Sequence, residues 1–294
     1  MLDTHAKYIG RFAPSPTGDL HLGTLIAAVA SYLQARTRDG EWLLRIEDVD
    51  TLRRVDGASA SILQTMEDFG FEWDGDIVYQ SERTHLYEAA LDRLQTAGHV
   101  FPCTCSRKLL RQTAKELNGI YPGNCRLRTF PFTEEHAIRM RVEDSIIEFD
   151  DQVMGHFRQN LATECGDFVI KRRDGLFAYQ LAVVVDDEDQ GITEVVRGAD
   201  LLDSTPRQIY LQQHLGYAQP AYLHVPLLLE PDGRKLSKSE GADKLCTKNA
   251  PLNLHHALSH LGQQPPDELV RASVVECWQW ALENWNIDRI PKIY

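Results

Sequence analysis

The chain has 294 residues, 43% hydrophobic and 25% charged, a composition that fits a folded globular protein and excludes a disordered, collagen-like or low-complexity one. Lys and Arg total 31 against 43 Asp and Glu, a net charge of -12, which excludes indiscriminate binding to nucleic acid through a uniformly basic surface. The opening MLDTHAKYIG has no apolar signal region and no apolar run reaches membrane-spanning length, so a cytoplasmic protein without a membrane partner is expected.

Residues 8–12 read as a buried strand that runs into RFAPSPTGDLHLGT at 11–24, and residues 24–38 as an amphipathic helix with Leu22, Ile26, Val29 and Leu33 on one stripe. Pro14, Pro16, Gly18 and Gly23 make a turn whose backbone can approach a ligand closely. His21 and Thr24 fall at the helix start, where unpaired amides and the helix dipole attract phosphate. Gly18 and Gly23 have the glycine spacing of a P-loop, but Thr24 stands where that loop needs Lys.

Residues 42–46 form the next strand, ending at Glu47-Asp48-Val49-Asp50. Acidic groups at a strand end beside the first strand-to-helix turn lie where open α/β sheets hold ligands, and one of them can take an ammonium group. The bland reading of these acids is a helix cap. Residues 56–70 and 82–98 show helical spacing on either side of the turn FEWDGD.

An insertion then opens with Cys103-Thr104-Cys105 and returns at Tyr121-Pro122-Gly123-Asn124-Cys125. Six cysteines in a cytosolic chain are a poor disulfide framework, whereas three thiols in one short segment suit structural zinc, with His99, Tyr121 or His136 as fourth ligand. Residues 103–141 also hold eight basic side chains against three acidic ones, an excess that can face RNA or simply solvent.

Two apolar runs, 168–171 and 177–185, flank Arg173-Asp174-Gly175 and predict a hairpin of two strands. Residues 193–196 read as a strand ending at Arg197, Ser204 as the cap of a helix to Leu215, and 222–229 as a last strand. There follow Lys235-Leu236-Ser237-Lys238-Ser239, a pair of lysines on a loop bordered by Gly and Ser. Such a cationic clamp suits a triphosphate whose charge shifts as its α-phosphate is attacked. Residues 254–261 and 266–285 read as helices, the second with a tryptophan stripe expected to be core.

The 11–24 stretch resembles the HIGH signature of class I aminoacyl-tRNA synthetases in the form used by the glutamyl branch, with His21 and Gly23 matching and Thr24 in place of the final His. The 235–239 loop is similar to that superfamily's KMSKS loop, with Leu for Met. The resemblance covers about residues 8–241. It implies an α/β fold with a Rossmann-type parallel sheet, a small zinc-binding insertion and a C-terminal helical segment. The expected divisions are 1–100 and 166–241 for the two halves of the catalytic domain, 101–165 for the insertion and 242–294 for the helices.

Through the same resemblance, His21 and Lys238 are expected to be catalytic, with Gly23, Thr24, Lys235 and Lys238 on ATP and its Mg²⁺. Arg11, Ser15, Glu47, Tyr179 and Arg197 are expected around L-glutamate, since arginine meets a side-chain carboxylate with two hydrogen bonds. Cys103, Cys105, Tyr121 and Cys125 become the expected zinc ligands.

No residues remain for the anticodon-binding region of a glutamyl-tRNA synthetase. In this the chain is similar to the glutamyl-queuosine tRNA(Asp) synthetases, which activate glutamate without tRNA and transfer it to queuosine in the anticodon loop of tRNA(Asp). That resemblance implies a ligase whose partners are glutamate, ATP and queuosine-bearing tRNA(Asp), expected as a monomer. Three alternatives stand beside it: a compact synthetase charging tRNA(Glu), a small-molecule adenylate-forming ligase, and a noncatalytic RNA-binding paralogue.

Overall fold

In the computed structural model, which describes residues 7–106, 108–110, 120–133, 135–228 and 245–292, the chain opens with a β–α–β–α–β unit. Its elements are β1 (Ile9–Phe12), α1 (Leu22–Arg36), β2 (Glu41–Ile46), α2 (Ala58–Asp68) and β3 (Val78–Tyr79). β1 pairs in parallel with β2, placing Arg11 opposite Leu43, and β3 continues on the far side of β2. Helix α1 is buried around most of its circumference rather than along one stripe, because the C-terminal helices cover its outer face.

After α3 (Thr84–Thr96), β4 (Val100–Cys103), β5 (Ala137–Met140) and β8 (Phe168–Lys171) form a separate antiparallel sheet in the order β4-β5-β8. Between β5 and β8 the chain leaves as the hairpin β6 (Ile146–Asp151) and β7 (Gly155–Asn160), followed by the single turn α4 (Leu161–Glu164). β6 lies parallel to β10 (Ala221–Val225), which is parallel to β9 (Glu194–Gly198). Residues 146–160 therefore extend the main sheet.

The two parallel halves meet where the Thr193 amide donates to Ile9 O and the Ile9 amide to Thr193 Oγ1, both at 2.9 Å. From that joint the chain moves outward through β1, β2 and β3 in one direction and through β9, β10 and β6 in the other. This is the switch point of a Rossmann-type sheet, and the crevice at the carboxyl ends of β1 and β9 is the ligand position such a topology creates.

The structure replaces the second predicted hairpin strand with a helix, α5 (Tyr179–Asp189), and leaves only one antiparallel bridge, Lys171 to Phe177. Leu181 through Asp187 are all buried, so the Val183-Val184-Val185 run answers to packing on every side rather than to β propensity. Helix α6 (Thr205–Leu215) connects β9 to β10. Ser204 stands at its N-cap, but the Ser204 hydroxyl accepts from Gln180 Nε2 at 3.0 Å instead of capping the helix.

At the C-terminal end α7 (Ala250–His260) and α8 (Val274–Asn284) pack on α1. The expected helix at 266–285 divides, because Ser273 and Glu276 form a reciprocal capping box that starts α8 anew after a 3-10 turn at Asp267–Arg271. Trp278 is core, as the stripe implies: its ring meets Tyr32 and Phe71 at 4.8 and 4.9 Å, and its Nε1 donates to Phe69 O at 2.9 Å. No described helix is long and apolar enough to cross a membrane.

Candidate active site and cysteine cluster

The switch-point crevice holds a cavity of about 520 Å³, and Arg11, Ser15, His21, Gly23, Thr24, Glu47, Tyr179 and Arg197 all line it. Lys235 and Lys238 lie outside the described residues. Arg11 lies in β1, Arg197 in β9, Glu47 follows β2, and Tyr179 opens α5. The turn between β1 and α1 is tied down by backbone bonds from the Glu47 amide to Pro14 O (2.9 Å) and from the Val55 amide to Pro16 O (3.0 Å). Gly18 takes a φ of +136°, a conformation that a side chain would strain.

The two arginines have different surroundings. Arg11 grips the buried Asp187, Nε to Oδ1 at 3.1 Å, and Asp187 also accepts from Arg45 at 2.6 Å. Burial pushes the Asp187 carboxyl up, but Arg11 and Arg45 more than reverse this and hold it below the usual carboxylate range. Arg197 instead donates only to neutral groups: His224 Nε2 at 3.0 Å, Thr205 Oγ1 at 2.9 Å, Tyr179 Oη at 3.3 Å and Leu201 O at 3.4 Å. Among the described residues no carboxylate meets it, so a buried guanidinium faces the cavity without a counter-ion.

His224 makes that arrangement possible. Its Nδ1 bonds the buried Asp151 carboxylate at 2.6 Å, which fixes the proton on that nitrogen and leaves Nε2 to accept from Arg197. Burial lowers the His224 imidazole to about 4, against the upward pull of Asp151, so at neutral pH it adds no charge. Asp151, in turn, is held below the usual range: burial pushes it up, and the His224 bond outweighs that.

Glu47 is the acid after β2 that lines this cavity. Asp48 is occupied by the Ser81 amide and hydroxyl, both at 2.8 Å, and Asp50 by Arg53 and Arg172. Burial pushes the Glu47 carboxyl up to about 7, against the pull of Arg45 and Arg11, and its Oε1, 3.6 Å from Arg45, has no hydrogen-bond partner among the described residues.

At the start of α1, His21 occupies the N-cap and its ring folds back over the first turn. The Thr24 amide donates to Nδ1 at 3.4 Å and the Thr24 hydroxyl meets Nε2 at 3.1 Å, so the residue that replaces the second imidazole holds the first one in place. A Cβ at Gly23 would come within 3.2 Å of the His21 ring, which gives that glycine a steric reason.

In the second site the Cys103, Cys105 and Cys125 sulfurs all lie within 4.8 Å of one another. The Tyr121 oxygen is 3.4 Å from Cys103 Sγ and 3.5 Å from Cys105 Sγ, and Cys105 and Cys125 are 3.6 Å apart. A tetrahedral zinc at about 2.3 Å from sulfur and about 2.0 Å from oxygen spaces its ligands roughly 3.8 Å (S to S) and 3.5 Å (S to O), so the four groups fit the ion. Burial pushes the Cys125 thiol up, but hydrogen bonds from Thr104 and Tyr121 bring it down to about 6.

The Arg139 guanidinium stacks 3.9 Å from the centre of the Tyr121 ring and donates to Cys103 Sγ at 3.4 Å. Arg126 pairs with Asp167, and Arg141 donates to Arg126 O. Three of the basic residues counted toward RNA thus serve the fold of the insertion, while Arg107, Arg111 and Lys115 lie outside the described residues.

Asp187, His224, Asp151 and Arg45 stand behind the cavity and hold Arg11 and Arg197 in place without having been singled out by motif. Three of them left a faint mark: Asp187 follows Asp186 at the end of a buried apolar run, and Arg45 and His224 interrupt apolar strands.

The family model of the catalytic domain of class I tRNA synthetases (E and Q) matches residues 9–250. Among curated proteins, the chain is 56% identical over 288 residues to the "Glutamyl-Q tRNA(Asp) synthetase" of Ectopseudomonas mendocina, covering 98% of this chain and 96% of that one. It is 54% identical over 287 residues to the protein of that name from Pseudomonas aeruginosa, with the same coverage. Among solved structures, a glutamate tRNA ligase from Elizabethkingia meningosepticum in complex with its amino acid superposes with a TM-score of 0.81 at 26% identity; the match covers 98% of this chain and 66% of that one. With the switch-point cavity and the HIGH-like turn lining it, these matches establish that the chain belongs to the class I tRNA synthetase family of the glutamyl and glutaminyl type, within the group named glutamyl-Q tRNA(Asp) synthetase.

Proposed function

We propose that the protein activates L-glutamate with ATP, without RNA, and transfers the glutamyl group to queuosine in the anticodon loop of tRNA(Asp). The observation that carries the glutamate reading is one cavity lined, among the described residues, by a buried guanidinium that no carboxylate meets and by the Glu47 carboxyl, whose Oε1 accepts no hydrogen bond and lies 3.6 Å from Arg45. An amino acid with a carboxylate side chain completes both: its side chain meets Arg197 and Tyr179, and its ammonium group meets Glu47. Ser15 and Arg11 close the pocket around it. Glutamine is rejected because its amide leaves the cation uncompensated.

The chemistry needs no protein nucleophile. The α-carboxylate of glutamate attacks the α-phosphorus of ATP, an O–P bond forms, the bond to the β-phosphate oxygen breaks, and pyrophosphate leaves. The first amides of α1 and the His21 ring lie on the phosphate side, with Lys235 and Lys238 assigned to the departing pyrophosphate. Mg²⁺ carried by ATP neutralises part of the phosphate charge. A queuosine hydroxyl then attacks the acyl carbon, an ester forms, and AMP leaves with the electron pair of the anhydride bond. Cys103, Cys105, Tyr121 and Cys125 hold a structural zinc, which takes no part in these steps.

Two measurements test this reading. Glutamate-dependent ATP/pyrophosphate exchange is expected without RNA, and labelled glutamate should move to tRNA(Asp) only when it bears queuosine. Exchange that waits for tRNA(Glu) would assign the protein to tRNA(Glu) charging instead. The ammonium contact also makes a pH prediction: with the Glu47 carboxyl at about 7 in the free protein, glutamate binding takes up the ionised form and releases a proton. The Kd for glutamate is expected to fall with rising pH up to about 7 and then level off, and Glu47→Gln should flatten that dependence in calorimetric titrations.

A further inference from the structure

We propose that the recess beside the glutamate cavity, lined by Asp50, Gln80 and Arg172, holds the hydroxyl-bearing group of the RNA nucleoside that receives the glutamyl group. This deepens the function proposed above and rests on it. The recess has a volume of about 180 Å³ and shares the wall of Ser15, Glu47 and Tyr179 with the glutamate cavity, whereas Asp50, Gln80 and Arg172 line the recess alone.

Each of these three lining residues carries a buried polar atom with no hydrogen-bond partner among the described residues: Asp50 Oδ1, Gln80 Oε1 and Arg172 Nε. Buried polar groups are ordinarily paired, so these three, beside the Glu47 Oε1 already assigned to the ammonium group, require an explanation. The rest of each side chain is fixed. Gln80 is fully buried and its Nε2 donates to Asp186 Oδ2 at 2.8 Å, which identifies the unpaired atom as the amide oxygen. Asp50 Oδ2 accepts from Arg53 at 2.8 Å and from Arg172 at 2.7 Å, and the other terminal nitrogen of Arg172 donates to Asp174 at 2.5 Å.

Two acceptors and one donor therefore await a ligand. A hydroxyl both donates and accepts, so neighbouring hydroxyls on one small ring can satisfy all three atoms. An ionised phosphate donates nothing and would leave both oxygens unpaired. Val49, Phe177 and Ala178 supply apolar wall for the ring carbons. The volume suits a five-membered carbocycle and is too small for a nucleotide, so the base and its backbone must remain at the rim.

The rim has the composition this requires. Leu52 and Val55 are 73% and 49% exposed, and between them the side chains of Arg53 and Arg54 are 74% and 47% exposed. Exposed apolar side chains beside guanidinium groups suit an unstacked base and its flanking phosphates. A hydroxyl seated between Asp50 and Arg172 lies across the shared wall from the glutamate cavity.

The test separates activation from transfer in the full-length protein, using Asp50→Asn and, independently, Arg172→Gln. Each variant is expected to keep RNA-independent pyrophosphate exchange within twofold of the parent. Each should also raise the KM for queuosine-bearing tRNA(Asp) at least tenfold, and raise the inhibition constant of the free queuosine nucleoside by a similar factor. Unchanged transfer by both variants would overturn the proposal and leave the recess to water. A parallel fall in exchange and transfer would overturn it too, by assigning these residues to the amino-acid site or to folding. Absence of exchange in the parent protein would defeat the functional reading itself, and this inference with it.

Discussion

Replacing Arg197 with glutamine is expected to lower kcat/KM for glutamate in pyrophosphate exchange by about 30-fold to several thousand-fold, corresponding to roughly 2–5 kcal/mol for truncating one partner of a buried charge pair. The size follows from the surroundings of Arg197. Its donors already hold His224, Thr205, Tyr179 and Leu201, all neutral, so the incoming side-chain carboxylate is the group that balances the charge. The same replacement should leave the melting temperature nearly unchanged or raise it, because it removes an uncompensated buried cation from the free protein. Arg11→Gln is expected to act in the opposite way. It strands Asp187 beside Arg45 alone, and breaking a buried ion pair of this kind costs about 3–5 kcal/mol, so the loss should appear in thermal unfolding as well as in kinetics. If both variants lost activity with equal loss of stability, the distinction between a substrate-facing and a fold-facing arginine would fail.

That distinction was beyond the reach of the sequence, which placed Arg11 and Arg197 together around a carboxylate. Motif and strand position put both at strand ends, and the structure brings both to one cavity. What separates them is Asp187, a residue on a helix that reads as a strand because Val183, Val184 and Val185 favour β structure in isolation. Burial on every side overrode that preference, and with it went the predicted hairpin around Gly175. The β1–α1–β2 unit was legible because its strands are short apolar runs bounded by turn signals, and the turn from Arg11 to Thr24 because its Pro and Gly positions have few other uses. The cysteine cluster was legible in outline, since thiols so close in sequence have few ways to lie apart. Its fourth member came from resemblance alone, as phenol has no spacing signature. The hairpin at 146–160 escaped because its pairing with β10 joins segments far apart in the chain, and local pattern carries no record of such partners.

Cys103→Ser, or prolonged chelation, should release one equivalent of zinc and lower the melting temperature by about 5 °C or more. Among the described residues, the apolar cluster around the thiols comprises Phe101, Cys103, Tyr121 and Cys125 with a few partly buried neighbours, so a bound ion would be a large part of what holds that end of the insertion. The Tyr121 oxygen and the Cys103, Cys105 and Cys125 sulfurs stand close enough for one zinc to take all four, and without it three thiols and a phenol are crowded together with only weak hydrogen bonds among them. Limited proteolysis should then cut between Cys105 and Cys125 in the metal-free form and spare that segment in the loaded one. A variant that keeps its melting temperature and protease resistance while holding no zinc would remove the ion from the account of this fold.

The seam between Ile9 and Thr193 has a consequence for synthesis on the ribosome. One wall of the glutamate cavity is translated early, whereas Arg197, His224 and the strand that carries His224 emerge only after most of the polypeptide has been made. Cellular glutamate therefore cannot rescue a partly synthesised molecule, and the early half must stay soluble on the strength of its own packing until its counterpart arrives.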